Sequence, residues 1–199
     1  MDRPARLRAL LSHLTSGLIG RDREARLALL ALIAGQHLLL IGPPGTAKSL
    51  VARRLVALVD GDRGFERLLT RFSVPEELFG PYALSALEQD RYERQTQGYL
   101  PDATVAFLDE IFKANSAVLN ALLPLLAERR FHNGTATVDC PLVTVVGASN
   151  AQPDGHELAA LHDRFLLRAE VRPLDDADFR ALLNSPPLTV DAPPAALSP

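Results

Sequence analysis

Leu7, Leu10, Leu11 and Leu14 fall at i, i+3, i+4 and i+7, one stripe of a helix over residues 3–14. A stripe needs a surface to cover, and for so short a segment that surface is the chain's own domain rather than a membrane. A second helical pattern runs over 21–34 and stops at Gly35, a residue that accepts the left-handed conformation just past a helix end. The apolar run 37–41 leads straight into Gly-Pro-Pro-Gly, so it reads as a buried strand entering a glycine loop. Helical spacing resumes over 48–59. Further strands are predicted at 65–70, 105–108, 142–148 and 165–171, with helices at 115–128 and 176–183. Strands alternating with helices imply an α/β fold built on a parallel sheet.

Two segments interrupt the alternation. Residues 77–102 contain a possible hairpin around Glu88-Gln89-Asp90. Asn133-Gly134, the preferred type I′ pair, stands between two alternating runs and predicts a second hairpin. Past Leu183 the composition changes to a run with Pro186, Pro187, Pro193, Pro194 and Pro199 and the single charge Asp191, which predicts an unstructured tail. The division is therefore a core domain over 1–183 and a Pro/Ala-rich tail over 184–199.

Composition narrows the class. The chain has 199 residues, 47% hydrophobic and 23% charged, which suits a folded domain and excludes a wholly disordered one. The longest apolar stretch, residues 27–34, is far short of the ~20 residues needed to cross a bilayer. Arg3, Arg6 and Arg8 break any signal-peptide core, and the single Cys140 has no internal disulfide partner, so a cytoplasmic protein is expected. A net charge of -3 argues against a protein devoted to nucleic acid. Lys48 and Lys113 are the only lysines in an arginine-rich chain, which draws attention to both.

Gly42-Pro43-Pro44-Gly45-Thr46-Ala47-Lys48-Ser49 follows a strand and opens a helix, the setting in which a phosphate-binding loop works. Backbone N–H groups and the positive helix end surround an anion, Lys48 reaches the β and γ phosphates, and Ser49 ligates Mg²⁺. The general pattern has glycine where Ala47 stands, and the exchange costs little if that position has helical dihedrals. Strand 105–108 ends in Asp109-Glu110, at the end of a parallel sheet where ligands bind. Asp109 is placed to hold Mg²⁺ through water and Glu110 to deprotonate an attacking water; the plainer reading is a solvated helix start. Ser149-Asn150 ends another apolar strand, where Asn150 would align that water. Arg164 precedes the last strand and suits a cation supplied to a neighbour's γ-phosphate, although a surface ion pair with Asp163 or Glu157 explains it equally well. The five histidines and Cys140 lack metal-ligand spacing. Gly147-Ala-Ser149-Asn-Ala151 misses a hydrolase elbow by one residue, Ala151.

GPPGTAKS, TRFSVPEELFGP, GYLPDATVAFLDEIFKAN, LLAERRFHNG and ALHDRFLLR together resemble the AAA+ ATPases of the MoxR family, and within it the RavA-like (regulatory ATPase variant) branch, over residues 18–172. The resemblance implies a three-layer P-loop NTPase fold with strands ordered 5-1-4-3-2, a helix-2 insert hairpin and a pre-sensor-1 hairpin. It implies Walker A at Gly42, Pro43, Pro44, Gly45, Thr46, Ala47, Lys48 and Ser49, Walker B at Asp109 and Glu110, sensor 1 at Asn150 and an arginine finger at Arg164. Ile19 and Gly20 would lie beside adenine. ATP and Mg²⁺ would be bound, a hexameric ring formed, and a von Willebrand A-domain protein met as partner. Family members continue into a helical lid, which is expected to be missing here. The leading expectation is Mg²⁺-dependent ATP hydrolysis driving chaperone-like remodelling or maturation of partner proteins. The alternative is an ATP-binding assembly or regulatory subunit that hydrolyses little. A small-molecule kinase would not need Asn150 and Arg164 where they stand.

Overall fold

The computed structural model describes residues 3–59 and 63–186. Its elements are α1 (Arg3–Thr15), α2 (Asp22–Ala34), β1 (Leu38–Ile41), α3 (Lys48–Ala57), β2 (Gly64–Leu68), α4 (Pro75–Phe79), α5 (Leu84–Leu87), β3 (Val105–Asp109), α6 (Ser116–Glu128), β4 (Arg130–Asn133), β5 (Ala136–Asp139), β6 (Thr144–Ser149), α7 (His156–His162), β7 (Leu167–Glu170) and α8 (Asp176–Leu183). Five strands form one parallel sheet in the order β2-β3-β6-β1-β7; numbered along the chain among themselves, they run 5-1-4-3-2 from the β7 edge. β4 and β5 pair separately and antiparallel.

Alternation along each central strand divides the core between the two faces. Leu39 and Ile41 of β1, with Ala106 and Leu108 of β3, join a cluster with Leu122 and Leu125 of α6. Leu38 and Leu40, with Val105 and Phe107, join the opposite cluster with Ala28 of α2 and Leu55 of α3. Because both faces are covered, these strands read as unbroken apolar runs. The helix α1 docks on its own domain as expected, with Leu10 and Leu14 fully buried against α2 and α3 while Leu7 is exposed. Arg54 of α3 donates to the carbonyls of Leu14 and Ser16, which holds the end of α1. α2 ends at Gly35 with φ 61°, as its sequence predicts.

Two local expectations are corrected. Around Glu88-Gln89-Asp90 there is no strand hairpin: one antiparallel bridge joins Tyr82 to Arg94, and the short helix α5 lies between them. Backbone bonds from Ala86, Leu87 and Glu88 to Ala83 and Leu84 satisfy this segment locally, leaving no ladder to build. In the β4–β5 hairpin, Asn133 pairs with Ala136 and is the last strand residue, so the loop is Gly134-Thr135. Of these two, only Gly134 has positive φ, 65°, which is the pattern of a type II′ rather than a type I′ turn. The Asn133 amide instead clips the hairpin to the other insert: its Oδ1 accepts from the Arg94 N–H at 2.6 Å and its Nδ2 donates to the Arg94 carbonyl at 3.1 Å. α8 is present over the predicted residues, with none of them buried. From residue 187 the predicted tail lies outside the described residues.

Candidate functional site

At the carboxyl end of β1 the chain must turn sharply, and sterics fix its first residue. A Cβ on Gly42 would lie 2.0 Å from the Val171 carbonyl, so β7 leaves room for glycine only. The loop then runs beside a cavity of about 450 Å³ lined by residues 44–50, Arg53, Asp109, Glu110 and Asn150. Three neighbouring strand ends, β1, β6 and β3, thus deliver the glycine loop, Asn150 and Asp109-Glu110 to one place.

Lys48 is 6% exposed, and its ammonium donates to the carbonyls of Gly42 at 2.6 Å and Pro43 at 2.9 Å and to Asn150 Oδ1 at 3.0 Å. Burial pulls its pKa below the ordinary lysine value, while the charges of Asp109 and Glu110 oppose that shift. The Ser49 hydroxyl donates to Asp109 Oδ2 at 3.0 Å. Asn150 Nδ2 donates to Glu110 Oε1, so one carboxamide joins the lysine to the second carboxylate. Lys113 lies 3.4 Å from Glu110 Oε2.

Ala47 overturns one expectation. Its φ of 62° and ψ of 21° are left-handed rather than helical, so alanine in place of glycine is strained by about 1–2 kcal/mol. Glu110 is left-handed as well, with φ 53°, which turns the chain off β3 immediately after Asp109. Backbone strain of this kind persists where surrounding contacts over-determine it.

The structure brings together Pro44 to Ser49, Asp109, Glu110 and Asn150, and leaves Arg164, Ile19 and Gly20 outside the cavity lining. Leu161 and Phe165, both fully buried, pin the turn that carries Arg164 outward. Asp163 pairs with Arg168 at 3.5 Å, and among the described residues no ion pair joins Arg164 to Asp163, one of the two partners of its plainer reading; the side chain of the other, Glu157, lies outside what is described. Gly20, at φ 66°, sits against Asp178 and Leu174. Two arginines beside the loop lie outside the sequence expectations. Arg53 lines the cavity from α3 and pairs with Glu66 at 2.7 Å. Arg21 is 6% exposed and donates to Thr46 O at 2.8 Å. Arg53 was within reach of the helical spacing after Lys48; nothing local marks Arg21.

Residues 5–191 match the family described as the MoxR domain in the MoxR-vWA-beta-propeller ternary systems. The chain belongs to the MoxR family of AAA+ ATPases. This MoxR domain is 44% identical over 168 residues to an uncharacterized protein of Methanocaldococcus jannaschii, covering 84% of this chain and 44% of that one. It is 31% identical over 160 residues to the chaperone MoxR1 of Mycobacterium tuberculosis, covering 77% and 41%. A crystal structure of a candidate ATPase from Cytophaga hutchinsonii shares the fold at a TM-score of 0.68 and 21% identity, covering 90% of this chain and 54% of that one. The MoxR domain thus spans less than half the length of these two sequence relatives. Among the described residues no helix is long and apolar enough to cross a membrane, and no group of three His, Cys, Asp or Glu residues is placed to hold a metal ion.

Proposed function

We propose that this MoxR domain binds and hydrolyses ATP and uses the cycle for chaperone-like work on partner proteins. The observation that carries the reading is the convergence of Lys48, the Ser49–Asp109 pair and the Glu110–Asn150 pair on one cavity beside a glycine loop. A hydroxyl and a carboxylate oxygen 3.0 Å apart are hard oxygen donors of the kind Mg²⁺ takes, with its remaining positions left to water and phosphate. Ser49 would hold the ion directly and Asp109 through water; when bound, it neutralises charge on the β and γ phosphates.

The chain's own groups do the rest. N–H groups of residues 45–49 and the Lys48 ammonium bind the phosphates, which positions the γ-phosphoryl group for in-line attack. Glu110 accepts a proton from the attacking water, and Asn150 holds both that carboxylate and the water in line. Arg164 faces outward and would act on the γ-phosphate of a neighbouring copy in a hexameric ring, with Ile19 and Gly20 beside the adenine. The family description names vWA and β-propeller components, so a von Willebrand A-domain protein is the proposed partner. MoxR1 is named a chaperone, which supports the remodelling role. The RavA-like placement rests on the motifs alone.

The test is binding of a fluorescent ATP analogue with Mg²⁺, run beside phosphate release without an added acceptor. Lys48→Ala should abolish tight binding, because the loop loses its only lysine. Equal affinity in parent and variant would reduce Lys48 to a structural tie between strand ends.

A further inference from the structure

The glycine loop holds a backbone setting that its own sequence opposes. Gly45, at φ 78°, is left-handed without cost, whereas Ala47 at φ 62° crowds its Cβ against the backbone. The peptide that enters Ala47 is gripped from outside the cavity. Arg21 Nε donates to Thr46 O at 2.8 Å, Nη1 to Gly20 O at 2.5 Å and Nη2 to Arg172 O at 2.8 Å. The guanidinium is therefore anchored on the chain before α2 and the chain after β7, and its third bond falls on the loop. Thr46, itself 5% exposed, is fixed further by its hydroxyl on Pro43 O at 2.9 Å.

A trans peptide points its C=O and N–H in opposite directions. A Thr46 carbonyl drawn onto Arg21 thus turns the N–H of Ala47 away from Arg21, and Ala47 lines the cavity while Arg21 does not. We infer that Arg21 is a positioning residue for phosphate binding: it holds the Thr46–Ala47 peptide in its left-handed setting so that the Ala47 N–H is presented to the anion. A rigid fork suits this task. Lysine has one charged nitrogen and cannot span three carbonyls with fixed geometry. The inference rests on the reading of the loop as an ATP site.

The experiment measures affinity for a fluorescent ATP analogue with Mg²⁺, together with thermal unfolding, in the parent, Arg21→Met, Ala47→Gly and the double variant. Arg21→Met should weaken binding about tenfold, the worth of one charge-assisted hydrogen bond. In the Ala47→Gly background the same substitution should cost no more than about threefold, since glycine holds the left-handed setting unaided. The fall in melting temperature from Arg21→Met should be no larger in the Ala47 parent than in the Ala47→Gly background, because the same bonds are lost in each and only Ala47 has strain to release. An equal loss of affinity in both backgrounds would make Arg21 a purely structural tie and overturn the inference, as would unchanged affinity in Arg21→Met. Should Arg21→Met not fold, Arg21→Lys carries the same comparison. A parent that binds no analogue, or one matched by Lys48→Ala, would instead remove the ATP reading and this inference with it.

Discussion

Asn150, at the end of β6, donates its side-chain amide to the carboxylate of Glu110, at the end of the neighbouring strand β3. The same carboxamide accepts from Lys48 through its oxygen, so its orientation is set from both sides. A carboxylate held in this way is restrained where it lines the cavity.

Glu110→Gln should therefore keep ATP binding while slowing hydrolysis by roughly 10² to 10⁴, the usual worth of a positioned general base. Asp109→Asn should act differently, weakening the dependence of the rate on Mg²⁺ concentration. Steady-state phosphate release over a Mg²⁺ titration separates the two. A Gln variant that turns over at the parent rate would remove Glu110 from the reaction.

Gly42→Ala should lower stability by more than about 2 kcal/mol, because the new Cβ would overlap the carbonyl of Val171, a residue just past β7 that is itself held by its N–H on the Ile41 carbonyl. Urea unfolding reads this directly, with no nucleotide present. A stable alanine variant would mean that β7 can shift away from the loop.

Far from the cavity, His37 is 2% exposed, accepts from the Val145 N–H at its Nδ1 and donates from Nε2 to the Leu126 carbonyl. Burial, and then the nearby Arg129 guanidinium, lower its pKa from 6.5 to about 4. The folded state binds the proton less well than the unfolded chain, so the stability due to neutral His37 is complete above pH 6.5. It is lost as pH falls toward 4, amounting to about 2 kcal/mol by pH 5. His37→Asn keeps an acceptor for the Val145 N–H and does not titrate. The difference in urea stability between parent and variant should shift by that amount between pH 7.5 and pH 5; a constant difference would show that His37 takes up its proton in the folded state.

How much of this was legible follows from where the causes lie. The strand ends that lead into the glycine loop and to Asp109, Glu110 and Asn150 were readable because apolar runs that stop at polar residues are local signals. The left-handed Ala47 was not, since its dihedral is fixed by a carbonyl bond from Arg21, 25 residues away in sequence. Likewise, Glu88-Gln89-Asp90 has a turn's composition, but Leu84 to Leu87 closes a helical turn first and absorbs the backbone bonds a hairpin would need.

Arg164 lies outside the lining of its own chain's cavity. It is exposed beyond the buried anchors Leu161 and Phe165, while the phosphates would sit by Lys48. If Arg164 acts on a neighbouring copy, hydrolysis should rise more than linearly with protein concentration. Arg164→Ala should lower the rate by up to roughly 10³ and leave ATP affinity nearly intact, since such a cation acts on the transition state. Mixing Arg164→Ala with Lys48→Ala gives the decisive comparison. Each variant lacks what the other retains, so mixed interfaces can join an intact cavity to an intact arginine and recover activity. No recovery at any ratio, in a preparation shown by native mass spectrometry to contain mixed oligomers, would count against action between subunits. A mixture that recovers in proportion to the fraction of mixed interfaces would assign Arg164 to its neighbour's site.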